Sequence, residues 1–244
     1  TINDVTRNLA TLLVTGPKAP AILADMTGQS MTHDDFAWLS HRKIDLAGCQ
    51  ANVIRVSFAG EAGFEIHCPM DDVVAVYDAV MAAGAAHQLR PFGMLALDSM
   101  RLEKGYRSWK SDLTSDYTMF DSGLGRWVNF NKDDFVGRAA LQAEKQAGSQ
   151  RELVTLTLDD PDDDAPFGEA VYLSNVSIDG VDAGLVVSAG YGHRVGASIA
   201  MAVVDRQALA KAKDISVLVL GRKRRATVVE GHVLYDPENA KMKV

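Results

Sequence analysis

The stretch "SFAGEAGFEIHCP", from Ser57 to Pro69, decides the fold of the first half of this chain. Ile54, Val56 and Phe58 alternate with Val53, Arg55 and Ser57, and apolar and polar residues alternate again over residues 64–68. Alternation with period two is typical of β-strands, so the two segments predict a β-hairpin. The predicted turn contains two glycines, Gly60 and Gly63. Glu65 falls on the face opposite its two apolar neighbours, and whether that face meets water or a ligand is the first functional question.

Helical patterns surround this hairpin. The segment 17–28 predicts a short helix entered through Pro17 and ended by Gly28. Residues 70–88 carry apolar side chains at helical spacing, with Asp71 placed to cap the helix. Further helices are predicted over residues 92–105 and 134–147. The buried side of the helix over 92–105 is predicted to consist of Met94, Leu97, Met100 and Leu102.

From Arg151 onward the residue pattern is typical of β-strands. Six short β-rich runs follow, namely "RELVTLTL", "EAVYL", "VDAGLVVSAG", "ASIAMAVV", "ISVLVL" and "RATVVEGHVL". Short runs at this spacing predict a small β-barrel or sandwich. The basic run Arg222–Arg225 is predicted to lie in a turn between two strands. The predicted fold is therefore α+β, with antiparallel sheets and packed helices over residues 1–147 and a C-terminal β-barrel over residues 148–244.

Composition argues against several classes of function. The net charge of -7 and a pI near 5.3 argue against a nucleic-acid binder with a globally basic surface. No apolar run reaches the length of a membrane span, so no membrane partner is predicted. Cys49 and Cys68 are too few for a zinc cluster, and the histidines have no metal spacing, so no metal site is predicted. A reduced cytoplasmic or organellar compartment is therefore the default, and the cytoplasm is the predicted location. The start at Thr1, without Met, suggests a piece of a longer protein.

Motifs spread over the whole chain resemble those of the aminomethyltransferase family, which includes the T-protein of the glycine cleavage system. The motifs are "VTGPKAPAIL", "RVSFAGEAGFEIHCP", "PFGMLALDSMRLEKGYRSWKSDLTSDYT", "SGLGRWV", "FVGRAAL", "SAGYGHRVGASIAMAVV" and "YDPENAKMK". The stretch "LEKGYRSWKSDLT" is most similar to the tetrahydrofolate-binding region of dimethylglycine and sarcosine dehydrogenases and oxidases. The resemblance implies part of a three-lobed folate-binding module, whose first portion lies upstream of Thr1.

The resemblance also implies an activity. Tetrahydrofolate would capture a one-carbon unit from a methylated amine of the sarcosine or dimethylglycine type, giving 5,10-methylenetetrahydrofolate. In fused members of the family, FAD is carried by an upstream flavin dehydrogenase domain, which is therefore an expected partner. The family's catalytic aspartate lies in the upstream portion, so this chain alone is expected to lack it, and the catalytic residues here are unknown.

The resemblance assigns Glu65 to the pterin ring, and a carboxylate suits this task because it accepts two hydrogen bonds from neighbouring N–H groups. Phe58 stands where classical T-proteins have tyrosine, so ring packing is kept and the hydroxyl is lost. Leu97 stands where they have arginine, and the neighbouring Arg101 is retained. The full set of predicted folate-binding residues is Glu65, Phe58, Arg101, Tyr106, Tyr191 and Arg194.

Five of these residues have a structural alternative. Glu65 also suits a solvated strand face, Arg101 an ion pair with Asp98, Tyr106 packing between lobes, and the loop with Tyr191 and Arg194 a hairpin turn.

Three other functions stay open. The first is a folate-dependent demethylase acting on a sulfonium or methoxy donor, and the second is a non-catalytic folate-binding or assembly protein. Assembly relatives carry cysteine where this chain has Tyr106, which counts against the second. The third is a structural portion of a larger enzyme.

Overall fold

The computed structural model describes residues 1–165, 168, 170–173 and 183–244. The chain forms two compact units, one made of Thr1–Leu97 with Glu238–Val244 and the other of Asp98–Pro237. The division falls inside a helix. A domain boundary between residues 147 and 148 stays a prediction.

The first unit is built on a four-stranded antiparallel sheet with strand order β1-β4-β3-β2. Its strands are β1 Leu9–Thr15, β2 His41–Leu46, β3 Cys49–Arg55 and β4 Gly63–Pro69. Its helices are α1 Ala19–Thr27 and α2 Val73–Gly84, and a third, α3 Met94–Glu103, continues into the second unit.

The predicted hairpin is confirmed, and its alternation separates two faces of the sheet. β3 pairs antiparallel with β4, and Ile54 lies opposite Glu65. Phe64 and Ile66 are fully buried in a core shared with α1 and α2, whereas the Glu65 side chain stays 37% exposed. Burial of large apolar side chains holds this face against the helices, at about 1.5–3 kcal/mol for each one. Glu65 therefore lies on the face of the sheet that does not pack against these helices.

Three details of this unit correct the sequence predictions. α1 begins at Ala19 and not at Pro17, because Lys18 has a non-helical backbone. Gly63 lies in β4 and not in the turn, where the strands approach so closely that an added Cβ would lie 2.6 Å from the carbonyl oxygen of Val56. Asp71 does not cap α2, because a 3-10 turn over Met70–Asp72 precedes the helix.

The predicted helix over residues 92–105 forms as α3, and Gly105 follows it in the left-handed region, with φ +70°. Its buried side is only partly the predicted one. Leu102 is fully buried, but Met94 is 76% exposed because the first turn lies at the surface beside the exposed residues 91–93.

The second unit ends in a closed six-stranded antiparallel barrel, which confirms the predicted α+β class with a C-terminal barrel. The strand order is β10-β5-β8-β7-β6-β9. The described apolar side chains of the barrel form its core, and each of the six strands pairs with two others, so the barrel closes. The strands are β5 Arg151–Leu158, β6 Ala170–Leu173, β7 Gly184–Gly192, β8 Ala197–Asp205, β9 Ile215–Val219 and β10 Arg222–Val228. The ends of two predicted runs, at residues 169 and 181–182, lie outside the described residues.

Two helices accompany the barrel. They are α4 Arg138–Ala147 and α5 Arg206–Lys211. α4 begins four residues later than predicted, after Gly137, whose φ of +89° is incompatible with a helix. The Asp205 carboxylate caps α5 by accepting from the Ala208 amide at 2.7 Å.

The basic run Arg222–Arg225 forms strand β10, and not the predicted turn. Leu220 and Gly221 make the turn instead, with φ +46° and +78°. Arg224 Nε lies 2.9 Å from Asp163 Oδ2, and Arg225 Nη2 lies 3.2 Å from Asp214 Oδ1. Two of the four basic residues in this run therefore pair with carboxylates.

The two cysteines should resist modification while the chain is folded. Cys68 is fully buried and Cys49 is 6% exposed. Burial raises the pKa of Cys49 to about 11, helped by a hydrogen bond with Asp72, and burial also raises the pKa of Cys68. Because the thiolate is the reactive form, we expect iodoacetamide at pH 8 to leave both thiols intact and to label both in denaturant. Labelling without denaturant, read by mass spectrometry, would contradict the buried placement.

Candidate functional site

Glu65 lies in the middle of the open sheet face of the first unit. The strand register places it between Leu13 of β1 and Ile54 of β3, and both neighbours are half-buried. Directly opposed residues on one face of a sheet are in contact. The carboxylate therefore has an apolar side chain on each flank, a setting that suits a flat ligand with one polar edge.

His67 holds this carboxylate in position. His67 Nε2 lies 3.2 Å from Glu65 Oε2, and His67 Nδ1 lies 3.1 Å from Thr11 Oγ1. An ionised carboxylate can only accept, so Nε2–H donates to Glu65; in the neutral ring Nδ1 then accepts from the Thr11 hydroxyl. Sequence reasoning missed His67, although period two places it on the same face as Glu65.

Phe58 lies half-buried in the loop that joins β3 to β4. The Gly60 amide donates to Ser57 Oγ at 3.0 Å, and the Val56 amide donates to the Gly63 carbonyl at 3.1 Å. These bonds hold the loop that carries Phe58 in one conformation. The structure thus places Phe58 and Glu65 on the same hairpin.

In the second unit, Arg101 is the centre of a buried polar network. Its Nε donates to Asp98 at 2.6 Å, and its Nη1 donates to Asp112 Oδ2 at 2.7 Å. Nη2 donates to Ser188 Oγ at 2.8 Å, and the side chain is only 3% exposed. The predicted pair with Asp98 is present. These contacts favour the structural alternative for Arg101, and a direct ligand contact stays a prediction.

Arg194 lies at the turn between β7 and β8, where the sequence predicts a glycine-rich hairpin. Its main-chain amide donates to Glu103 Oε1 at 2.6 Å, and its Nε donates to the other oxygen of the same carboxylate. The guanidinium stacks 3.8 Å from the ring centroid of Tyr235. Glu103, fully buried at the end of α3, thereby fixes this turn. Arg194 itself is partly exposed, and its contact with a ligand stays a prediction.

The two predicted tyrosines lie close to α3 as well. The Tyr191 carbonyl accepts from Ser99 Oγ at 2.6 Å, and its ring meets His193 edge-on at a centroid distance of 5.0 Å. The Tyr106 carbonyl accepts from Arg101 Nη1 at 3.2 Å. Burial raises the pKa of the half-buried Tyr106, against a smaller lowering by Arg126, so its phenol stays neutral.

The structure thus gathers the predicted residues in two groups. Glu65 and Phe58 share a hairpin of the first unit. Of the other four, Arg101 lies on α3, and Tyr106, Tyr191 and Arg194 have contacts with residues of α3. Among the described residues, no group of three or more His, Cys, Asp or Glu side chains could hold a metal ion. No helix in the described part of the chain is long and apolar enough to cross a membrane.

Comparison with known proteins gives the class to which this architecture belongs. The profile of the GCVT N-terminal domain matches residues 1–132, and that of the glycine cleavage T-protein C-terminal barrel domain matches residues 151–236. The crystal structure of the glycine cleavage system aminomethyltransferase T from Bartonella henselae superposes with a TM-score of 0.79 at 25% identity, over 93% of this chain and 60% of that one.

Three curated relatives agree with this class. Human mitochondrial dimethylglycine dehydrogenase is 32% identical over 97% of this chain and 27% of its own length. Human mitochondrial sarcosine dehydrogenase is 37% identical over 64% of this chain and 17% of its own. The aminomethyltransferase of Caldanaerobacter subterraneus is 28% identical over 94% of this chain and 59% of its own.

The chain therefore belongs to the aminomethyltransferase, or glycine cleavage T-protein, family, as the motifs indicated. Its relatives are enzymes, and it spans about a quarter of dimethylglycine dehydrogenase and about 60% of the matched aminomethyltransferases.

Proposed function

We propose that this chain is the tetrahydrofolate-binding portion of an aminomethyltransferase-like enzyme that captures a one-carbon unit from a methylated amine. The observation that carries the proposal is the Glu65 carboxylate, flanked by apolar side chains and held by His67 on an open sheet face. The amine is of the sarcosine or dimethylglycine type, and the product is 5,10-methylenetetrahydrofolate. The relatives named as dimethylglycine and sarcosine dehydrogenases support this choice of amine.

The residues present fit a reduced pterin. Its 2-aminopyrimidinone edge has two neighbouring N–H donors, which match the two acceptor oxygens of a carboxylate. Oε2 already accepts from His67, and a carboxylate oxygen has a second lone pair for a further donor. Leu13 and Ile54 supply apolar surface for the rings, and Phe58 on the same hairpin adds an aromatic face.

The bound folate would supply the nitrogen that accepts the one-carbon unit. This chain's residues bind and orient it. A fixed carboxylate selects one orientation of the pterin edge, and positioning of this kind accounts for a large part of the rate in transfer reactions. The catalytic aspartate and an FAD-carrying dehydrogenase domain belong to the proposal only as parts outside this chain. The cytoplasm stays a prediction for this chain, and the human relatives are named mitochondrial.

Glu65→Gln should weaken folate binding by more than tenfold, a loss of about 1.4 kcal/mol or more. The amide has one oxygen and one N–H₂ group, so one pterin N–H would face a donor in place of an acceptor. The measurement is calorimetric titration of 5-formyltetrahydrofolate into the chain and into a longer form that includes the upstream residues.

The matched control is Asp71→Asn, which removes an exposed carboxylate from the same unit and should change the affinity less than twofold. If Glu65→Gln and the unchanged chain bind 5-formyltetrahydrofolate with equal affinity, then Glu65 is not part of the folate site. Absence of folate binding in both the short and long forms would leave the family membership as evidence of ancestry only. In the long form, methyltetrahydrofolate as product would favour the folate-dependent demethylase.

A further inference from the structure

The second unit contains a basic pocket. It has a volume of about 320 Å³ and lies beside the end of α4, the start of β5 and the start of α5. Four of its lining side chains are cationic and one is anionic. The cations are Arg107, Lys145, Arg151 and Arg206, and the anion is Glu152. None of the six predicted folate-binding residues is among the described residues that line it.

Two of the four cations are already compensated. Arg151 Nη2 lies 2.8 Å from Asp121 Oδ2, and Arg206 Nε lies 3.6 Å from Glu152 Oε2. Lys145 lies 4.9 Å from the ring centroid of Phe130. Lys145 and Arg107 form no ion pair with a carboxylate among the described residues. The pocket therefore carries excess positive charge in a protein whose net charge is -7.

Arg107 is the most unusual of these groups. Its Nε is buried and has no hydrogen-bond partner in the described part of the chain. Burial lowers the pKa of Arg107, and repulsion from Arg126 lowers it further against a smaller opposing effect of Asp112. Asp112 accepts from Arg101 and from the Ser108 amide through Oδ2. Its Oδ1 is buried without a hydrogen-bond partner among the described residues, so no hydrogen bond joins Asp112 to Arg107 Nε. A desolvated cation without an anion is unfavourable, and a bound anion would relieve that cost.

A glycine in the pocket wall allows the Arg107 guanidinium to lie close to the backbone. Gly123 lines the pocket with φ +67°, and an added Cβ would lie 2.6 Å from Arg107 Nη2. At the same wall, burial lowers the pKa of His232, with a further contribution from Arg107, so its ring is neutral at neutral pH. His232 Nδ1 is also buried without a partner among the described residues. In the tautomer with hydrogen on Nδ1, it is a second donor beside Arg107.

We propose that this pocket binds a small multivalent oxyanion of the phosphate type, with Arg107 as the principal anchor. The planar guanidinium offers paired N–H groups that match the oxygens of such an anion. The volume lies at the lower end of the range for small-molecule pockets, which fits a compact ligand and not a polymer.

The test compares two variants that each remove one positive charge. Inorganic phosphate, and separately citrate, are titrated calorimetrically at constant ionic strength into the chain, Arg107→Gln and Arg222→Gln. Arg222 is exposed at the start of β10, outside the pocket. We expect saturable binding of one phosphate per chain, at least tenfold weaker in Arg107→Gln and changed less than twofold in Arg222→Gln.

Thermal unfolding provides a second readout that also checks folding. A ligand that binds only the folded state raises the melting temperature, so phosphate should stabilise the chain and Arg222→Gln but not Arg107→Gln. If Arg107→Gln does not fold, Arg107→Lys keeps the charge and loses the planar fork, and at least a threefold loss of affinity is then expected.

Three results would overturn the proposal. Equal losses in both charge variants would show general electrostatic attraction, and a lack of saturable phosphate binding would show that no such site exists. Binding of citrate without phosphate would reassign the pocket to polycarboxylates. Because the folate test depends on Glu65 in the other unit, failure of either proposal is distinguishable from failure of the other.

Discussion

Asp112→Ala is expected to lower the free energy of unfolding of the second unit by about 3 kcal/mol. Asp112 is fully buried and accepts from Arg101 Nη1 and the Ser108 amide, both at 2.7 Å. Without the carboxylate, a guanidinium that is 3% exposed keeps Asp98, which is 48% exposed, as its one counterion among the described residues. Breaking a buried pair typically costs 3–5 kcal/mol, and the remaining pair with Asp98 puts this case at the lower end.

Urea denaturation measures this loss, and two further variants test its cause. Asp116→Ala removes an exposed carboxylate from the same segment between α3 and α4. It should change the free energy of unfolding by no more than about 0.5 kcal/mol. Arg101→Met added to Asp112→Ala removes the stranded charge and should recover part of the loss, as a double-mutant cycle would show. If Asp112→Ala unfolds at the same urea concentration as the unchanged chain, then the pair does not stabilise this unit.

Phe64→Ala is expected to destabilise the first unit by about 3–5 kcal/mol without a specific effect on ligand contacts. The Phe64 ring is fully buried, lies 5.8 Å from the ring of Phe36 between centroids, and is covered by the guanidinium of Arg55 at 5.4 Å. Truncation to alanine would leave a cavity between the sheet and its helices. The cavity adds its own cost to the lost transfer free energy.

The neighbouring variant Glu65→Gln is the matched comparison, because the two residues are adjacent but point to opposite faces of β4. Thermal melting should show a large loss for Phe64→Ala and a change within about 0.5 kcal/mol for Glu65→Gln. Similar melting losses in both variants would mean that Glu65 is part of the folding core, which would also undermine its assignment to ligand binding.

The parts of the candidate site that follow from local sequence were predictable. Period two predicted that Glu65 and Phe64 point to opposite faces of their strand, and they do. Helical spacing of i, i+3 predicted that Asp98 lies beside Arg101, and the two side chains form a hydrogen bond. His67 was predictable by the same alternation, since it stands two residues after Glu65. The basic run Arg222–Arg225 was misplaced because charge is typical of both turns and exposed strands, and only the left-handed backbone at Leu220 and Gly221 decides where the turn falls.

By itself, the sequence determined the strand and helix periods, the α+β class with its C-terminal barrel, and the family, because these depend on neighbours a few residues apart or on motifs in fixed order. Only the tertiary structure decided which charges are buried together. Arg101 bonds to Asp112 and Ser188 through contacts across many residues of chain. Arg107 Nε is buried in the same pocket wall as His232, without a hydrogen-bond partner among the described residues. No local pattern encodes such contacts, since burial and the cost of desolvating a charge depend on everything that packs around it.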